Sequence, residues 1–263
     1  MKTLIFSDVH LNVAEDGRPV REAFITFLRT INPAEVDRIV ILGDLFDFWF
    51  EYKHVIFSGY FDVLRPLADL HDAGVRFHFV CGNHDFWAGR FLRDHLDFDI
   101  HFEPLTLDFG GERVQFVHGD GINPKDVSYR IYKKIARFRP VVWAFGCLHP
   151  DWAMGIAQRV SRGSRHMFGA HDLSQGSEVK PIQEYAIRTL AAGDADVVMC
   201  GHTHYPVLEE HQTDAGATGL YINPGDWLHH QTFVDWEAGR FRLLAWNAGR
   251  PEVITEGATG RAE

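Results

Sequence analysis

The sequence is short of cysteine, of cations and of long apolar runs, and each shortage excludes something. The three cysteines, Cys81, Cys147 and Cys200, stand far apart and are odd in number. That is the pattern of free thiols in a reducing compartment, not of a disulfide framework. Lys and Arg number 26 against 36 Asp and Glu, a formal net charge of −10. The basic footprint of a duplex nucleic-acid binder is therefore missing, and no nucleic acid is expected as a partner. No stretch reaches the ~20 consecutive apolar residues of a membrane-spanning helix. The opening MKTLIFSDVH meets Asp8 too soon to hold the apolar core of a signal peptide. A soluble, cytoplasmic protein is expected. Its 263 residues, 46% hydrophobic and 24% charged, suit one large domain or one domain with an insertion.

Histidine and aromatics, by contrast, are plentiful, with 16 His, 21 Phe and 7 Trp. Their placement follows a repeating plan. Lys2 to Phe6, Arg38 to Leu42 and Val75 to Cys81 read as short buried strands. Helical spacing separates them, from about Pro19 to Ile31 and from about Val55 to Ala73, the second stopped by Gly74. Strand, polar loop and helix in alternation predict an α/β core with ligands outside the carboxyl ends of the strands. Further on, Phe98 to Phe109 and Glu112 to Val117 flank Gly110-Gly111, a hairpin signal. Residues 125–168 look helical, helical patterning returns near Ile182 to Ala192, and Val197 to Cys200 reads as another strand. The expected organisation is a domain over 1–248, with 125–168 a helical insertion, and a flexible tail over 249–263 rich in Gly, Glu and Thr.

Five strands end in acids, Asn or His at the point where the chain must turn. In order these are Asp8-x-His10, Gly43-Asp44, Gly82-Asn83-His84-Asp85, His118-Gly119-Asp120 and Gly201-His202-Thr203-His204. Any one of these pieces has an ordinary reading as a cap, a turn or a surface pair. All five in order at strand ends point to a two-metal site. Carboxylate and amide oxygens mixed with several imidazoles suit Mn²⁺, Fe or Zn²⁺ and not the all-oxygen cage of Ca²⁺. One carboxylate can bridge two ions about 3.5–4 Å apart, and water held between them loses a proton near neutral pH. The other eleven histidines, among them His54, His71, His78, His101 and His230, have no such context and read as surface or half-buried residues.

These five blocks, spread over residues 4–227, resemble the signature of the calcineurin-like metallophosphoesterases. The resemblance implies a four-layer αββα sandwich of two mixed sheets with a helical lid insertion, and a metal-dependent hydrolase of phosphoric esters or pyrophosphates. It implies that Asp8, His10 and His204 hold one divalent ion and Asn83, His118 and His202 the other, with Asp44 bridging. It further implies that His84 touches the phosphate or protonates the leaving oxygen, oriented by Asp85 or Asp47. Every ligand position is filled, which speaks against a metal-free scaffold kept only for protein contacts.

The substrate must be read from the surroundings of the site. Residues 125–168 carry nine cations, among them Lys133, Arg159, Arg162 and Arg165, against Asp126 and Asp151 alone. Trp143, Phe145, Trp152 and Phe168 lie among them. Cations interleaved with large apolar groups suit an amphiphile with an anionic head. Such a stretch also suits single-stranded nucleic acid, or is simply a packed helical hairpin with a solvated face. The runs GDLFDFWFEY at 43–52, His118-Gly119-Asp120-Gly121 followed by Tyr129, and the 148–165 stretch are similar to the UDP-2,3-diacylglucosamine pyrophosphatases of lipid A synthesis. That family implies hydrolysis of the lipid-linked UDP-sugar to UMP and 2,3-diacylglucosamine 1-phosphate. It also implies Mn²⁺ as the metal and peripheral attachment to the cytoplasmic face of the inner membrane. Asn83, Tyr129, Arg159, Arg162, Ser164 and Arg165 are then the expected substrate contacts, with Phe48, Trp49 and Phe50 either lining an acyl pocket or packed in the core. The chain departs from the best-known branch in carrying His84 where that branch has Arg. The alternative substrate is a different phosphodiester, a cyclic nucleotide or a nucleic-acid end.

Overall fold

The computed structural model describes residues 2–156, 159 and 178–260. Twelve strands form two sheets, the first in the order β12-β11-β10-β1-β2-β3-β4 and the second in the order β5-β6-β7-β9-β8. In the first sheet, β1 (Lys2–Phe6), β2 (Val36–Ile41), β3 (Arg76–Val80) and β4 (Asp99–His101) run parallel. On its other side, β10 (Thr232–Glu237), β11 (Arg240–Asn247) and β12 (Arg250–Gly257) continue antiparallel. The second sheet holds β5 (Leu105–Phe109), β6 (Glu112–Val117), β7 (Val197–Cys200), β8 (Val207–Gln212) and β9 (Thr218–Asn223).

The two sheets face each other across a core of Ile5, Val40, Leu42, Val80, Phe116, Met199, Ile222 and Val234. The opposite face of the first sheet is covered by α1 (Arg18–Thr30), α2 (Phe61–Asp72) and α3 (Arg90–Leu96), through Phe24, Phe27, Leu67 and Leu92. Helix α7 (Val179–Ala191) covers the second sheet through Ile182, Ala186 and Leu190. This is the expected αββα sandwich. Its central strands are apolar on both faces because both are covered, so they read as continuous apolar runs. Between β6 and α7 lie α4 (Val127–Ala136) and α5 (Arg139–Gly146), and residues 150–156 are also helical (α6). Among the described residues no helix is long and apolar enough to cross a membrane. The three cysteines are free.

Three expectations need correction. Residues 98–109 are not one strand. Asp99–His101 joins the first sheet beside β3, and only Leu105–Phe109 pairs with β6 in the second. The break falls at Phe102-Glu103-Pro104, where proline lacks the N–H that a ladder requires. The helix expected from residue 55 begins at Phe61, after a single 3-10 turn at Ser58–Tyr60. The tail expected to be flexible contains β12, joined to β11 by Ala248 and Gly249, which both have positive φ. A two-residue turn of that kind matches the twist of a hairpin. Beyond β12, Gly260 exchanges backbone hydrogen bonds with Thr218 of the second sheet. The strand escaped notice because it is an edge strand exposed along most of its length, with no apolar alternation to announce it.

Candidate metal centre

All five polar blocks converge at one end of the sandwich. The loops after β1 and β2 run side by side past the strands, since the Asp8 and His10 amides donate to the carbonyls of Gly43 and Asp44 at 3.1 and 2.9 Å. Asp8, His10, Asp44, His202 and His204 all have φ between 49° and 69°, the left-handed region that Asp and His tolerate better than branched residues. Each therefore turns the chain abruptly where its strand stops. Strain of this kind persists only where surrounding contacts enforce it, and it gathers at functional sites. The glycines in the blocks leave room for the same convergence. A Cβ on Gly82 would stand 2.8 Å from His118 Nε2 and against the Asp44 carboxylate, and one on Gly201 would meet Asp8.

The side chains form two poles around Asp44. At one pole, His10 Nε2 and His204 Nε2 lie 3.1 Å apart, with Asp8 Oδ1 3.8 and 3.4 Å from them. At the other, His118 Nε2 lies 3.2 Å from Asn83 Oδ1, and His202 belongs to the same group of donors. Asp44 Oδ2 stands between the poles, 3.7 Å from His10 Nε2 and 3.4 Å from His118 Nε2. All seven residues expected as ligands are thus brought together, and Asp8, Asp44 and His118 are almost wholly buried. The donor set fits two divalent cations. Asp8 Oδ1, which faces the site, is buried without any hydrogen-bond partner, which is costly unless something else satisfies it.

The electrostatics also call for cations. Burial by itself would lower the His10 pKa, but the Asp47 and Asp8 carboxylates outweigh it and raise it to about 10. His204 likewise rises against burial to about 9 through Asp8 and Asp226. Burial would raise Asp44, yet His118 and His84 hold it well below the carboxylate range. His202 has no carboxylate bonded to it; burial and then the His118 charge lower it to about 4. Clustered carboxylates thus force protons onto imidazoles, the same positive charge that a bound metal would supply.

Surrounding contacts orient these groups. His118 Nδ1–H donates to Leu42 O at 2.8 Å, so Nε2 is the nitrogen turned towards the site. His84 Nδ1–H donates to the backbone oxygen of Asp47 at 2.8 Å, and its amide donates to Asp44 Oδ1 at 2.9 Å. Asp85 has a different part. Its two oxygens accept the amides of Gly82 and Leu45, each at 2.8 Å, so it clamps two strand-end loops together. Orientation of His84 therefore falls to Asp47 rather than Asp85. Burial and the neighbouring Asp44 push the Asp85 carboxyl up to about 7.

Tyr129 donates to Asp120 Oδ2 at 2.7 Å, and Lys133 Nζ meets the same oxygen at 2.5 Å. The tyrosine hydroxyl is thus occupied in pinning α4 to the His118-Gly119-Asp120 turn. Trp87 Nε1 donates to Ala136 O at 3.0 Å, and the Phe145 ring lies 5.0 Å from Phe50 and Trp87 and 5.7 Å from Phe48. Trp49 is a core residue stacked on Phe46, whereas Phe48 is half-buried beneath α5. Arg159 is helical and exposed; Arg162, Ser164 and Arg165 lie outside the described residues.

Sequence reading missed Asp226 and Asn223. Asp226 is buried, faces His204 Nδ1 at 3.4 Å and accepts from His230 at 2.7 Å. Asn223 ties the Gly201 carbonyl and the Thr203 hydroxyl in place. The signal was available, because Asn223-Pro224-Gly225-Asp226 is a sixth polar turn at a strand end.

Among known proteins, the family model of the calcineurin-like phosphoesterases matches residues 1–206. The UDP-2,3-diacylglucosamine hydrolase of Porphyromonas gingivalis is 28% identical over 256 residues, covering 90% of this chain and 94% of that protein. The enzyme of the same name from Aeromonas hydrophila is 30% identical over 244 residues, covering 92% of this chain and 98% of that protein. With its strand-end donors assembled around Asp44, and a family match over three-quarters of its length, this chain belongs to the calcineurin-like phosphoesterases.

Proposed function

We propose that the chain hydrolyses the pyrophosphate bond of UDP-2,3-diacylglucosamine, with water as the second substrate and UMP and 2,3-diacylglucosamine 1-phosphate as products. The observation that carries this reading is the join between the buried donor cluster and a helical insertion that leaves apolar side chains open. Val127, Ile131 and Ile135 recur at helical spacing along α4, Phe138 follows between α4 and α5, and each is more than half exposed, beside Arg130 and Lys134. Trp143 and Trp152 follow in the next two helices, exposed by 73% and 70%. Asp120 links this lid to the site by bonding both Tyr129 and Lys133. Relatives named for this substrate align over nine-tenths of the chain.

Two divalent ions, Mn²⁺ first among the candidates, would be held by Asp8, His10 and His204 on one side and Asn83, His118 and His202 on the other, with Asp44 shared. When bound they lower the pKa of water and draw charge from the phosphoryl oxygens. The chain supplies the rest. Asp44 keeps the two halves of the site in register, and Asp47 fixes the His84 ring. Because Nδ1–H is committed to Asp47, neutral His84 presents Nε2 as an acceptor. A phosphoryl group arriving nearby favours the protonated ring, which then donates to it. The departing sugar phosphate is a good leaving group and needs little help from an acid. The lid's cations meet the diphosphate, with Arg159, Arg162, Ser164 and Arg165 as the head-group contacts that the family resemblance implies. Its apolar face takes the acyl chains and rests the protein against the cytoplasmic face of the inner membrane.

The test is UMP release from UDP-2,3-diacylglucosamine with Mn²⁺, run beside cleavage of bis-p-nitrophenyl phosphate. Fast UMP release with weak diester cleavage is expected. Good diester cleavage without UMP release would keep the phosphoesterase and discard the lipid substrate.

A further inference from the structure

A second group of metal-binding side chains stands well away from the strand-end site. His78 lies on β3, directly opposite Asp99 of the neighbouring parallel strand β4. His101 follows Asp99 by two residues, so its side chain leaves the same face of the sheet. One carboxylate oxygen, Asp99 Oδ2, lies 3.1 Å from His78 Nδ1 and 3.0 Å from His101 Nε2. Yet His101 Nε2 is buried and has no hydrogen-bond partner. The close oxygen lies outside the direction in which that nitrogen bonds.

His101 Nε2 is thus a buried donor atom beside a carboxylate oxygen that does not satisfy it, which is costly unless a third partner does. A zinc ion at about 2.0–2.2 Å from nitrogen and oxygen sets tetrahedral donors roughly 3.3 Å apart. The two observed separations fall a few tenths of an ångström short of that, and all three donor atoms lie within 4.8 Å of one another. His78 Nδ1 now donates to Asp99 Oδ2, and burial keeps this ring below its usual pKa despite the pull of Asp99, so a cation taken up here would replace the proton that the two share.

We propose that His78, Asp99 and His101 form a separate binding site for a divalent transition metal of the zinc class. Three protein donors leave a fourth position for water. The ion joins the edge strand β4 to β3, the strand that leads into Gly82-Asn83-His84-Asp85. His101 pairs with Val80, three residues before Asn83, yet this group of donors shares no residue with the groups at the strand ends. The edge site is independent of the substrate proposed above and stands or falls without it.

The experiment is equilibrium dialysis of the full chain against micromolar Zn²⁺, with bound metal counted by elemental analysis. Wild type should retain one more equivalent than His101→Gln, while Mn²⁺-supported hydrolysis is the same in both. Asp99→Asn, a change at an exposed side chain that keeps its shape, should lose the same equivalent and guards against a misfolded histidine variant. Zinc should also raise the melting temperature of wild type more than that of either variant. Equal zinc content in wild type and Asp99→Asn would overturn the proposal.

Discussion

At the strand ends, Asp8, Asp44 and His118 are buried, and backbone groups of neighbouring loops hold the site residues on several sides. In the insertion, Val127, Ile131, Ile135, Trp143 and Trp152 stand in solvent. The helices there touch the body through a few anchors, mainly Asp120, Trp87 and the ring cluster around Phe145. The first region spends conformational strain to fix donors to within fractions of an ångström, as metal chemistry requires. The second leaves apolar area uncovered, which folding alone does not favour. The difference teaches where the two halves of function reside. In the function proposed above, bond cleavage belongs to the strand ends and choice of substrate to the exposed apolar surface of these helices.

The sharpest break of this contrast is a loss at the strand ends. Asp44→Ala should lower hydrolysis of both the lipid and a small diester by about a thousandfold or more, a magnitude typical of removing one main electrostatic contact. Near-normal turnover in steady-state assays would remove Asp44 from the chemistry. Asp226→Asn should cost about 10–100-fold and raise the metal concentration needed, as expected where a ligand's supporting carboxylate is lost. A titration of activity against Mn²⁺ reads both effects.

The lid predicts selectivity instead. Ile131→Asp with Trp143→Asp should reduce turnover of the lipid substrate about tenfold, the cost of roughly 1.4 kcal/mol of lost contact. Diester cleavage should stay unchanged, and stability should move by only about 0.5 kcal/mol, as for other exposed positions. Equal losses on both substrates would return the lid to the role of a packed hairpin.

The smallest effect is on stability with pH. In metal-stripped protein, His204 and His10 titrate at about 9 and about 10, above the ordinary histidine value of about 6.5. The native state then binds more protons than the unfolded chain between those values. Stability is complete below about 6.5 and falls as pH rises through about 9 and then 10. Melting temperatures measured across that window should decline without metal. With Mn²⁺ present the decline should shrink, because bound metal requires these rings unprotonated.

Much of the strand-end site was legible in the residues because its signal is local. An apolar run closed by Gly-Asp or Gly-His tells both that a strand ends and that a donor sits there. Asp226 was missed although Asn223-Pro224-Gly225-Asp226 has the same form, since Asp-containing turns are common and only the fold brings this one to His204. His78 and His101 look ordinary for a similar reason. Their neighbour Asp99 lies on a strand whose three residues were read as part of a longer hairpin arm, and parallel pairing joins residues far apart in sequence. Tyr129 was placed near the site, but its hydroxyl is spent on Asp120.

The chain alone thus marked its strands, the polar turns that end them and their order, because apolar runs and glycine-acid turns are properties of neighbouring residues. The layers and the ligand set rested on the family resemblance. Tertiary structure alone decided which donors share a pole and that Asp47 and not Asp85 orients His84. Those outcomes depend on distances of a few ångströms between segments 35 to 194 residues apart, as in the contacts of Ser7 with Leu42 and His10 with His204. Such separations are set by how sheets stack and strands register, and no local pattern encodes them.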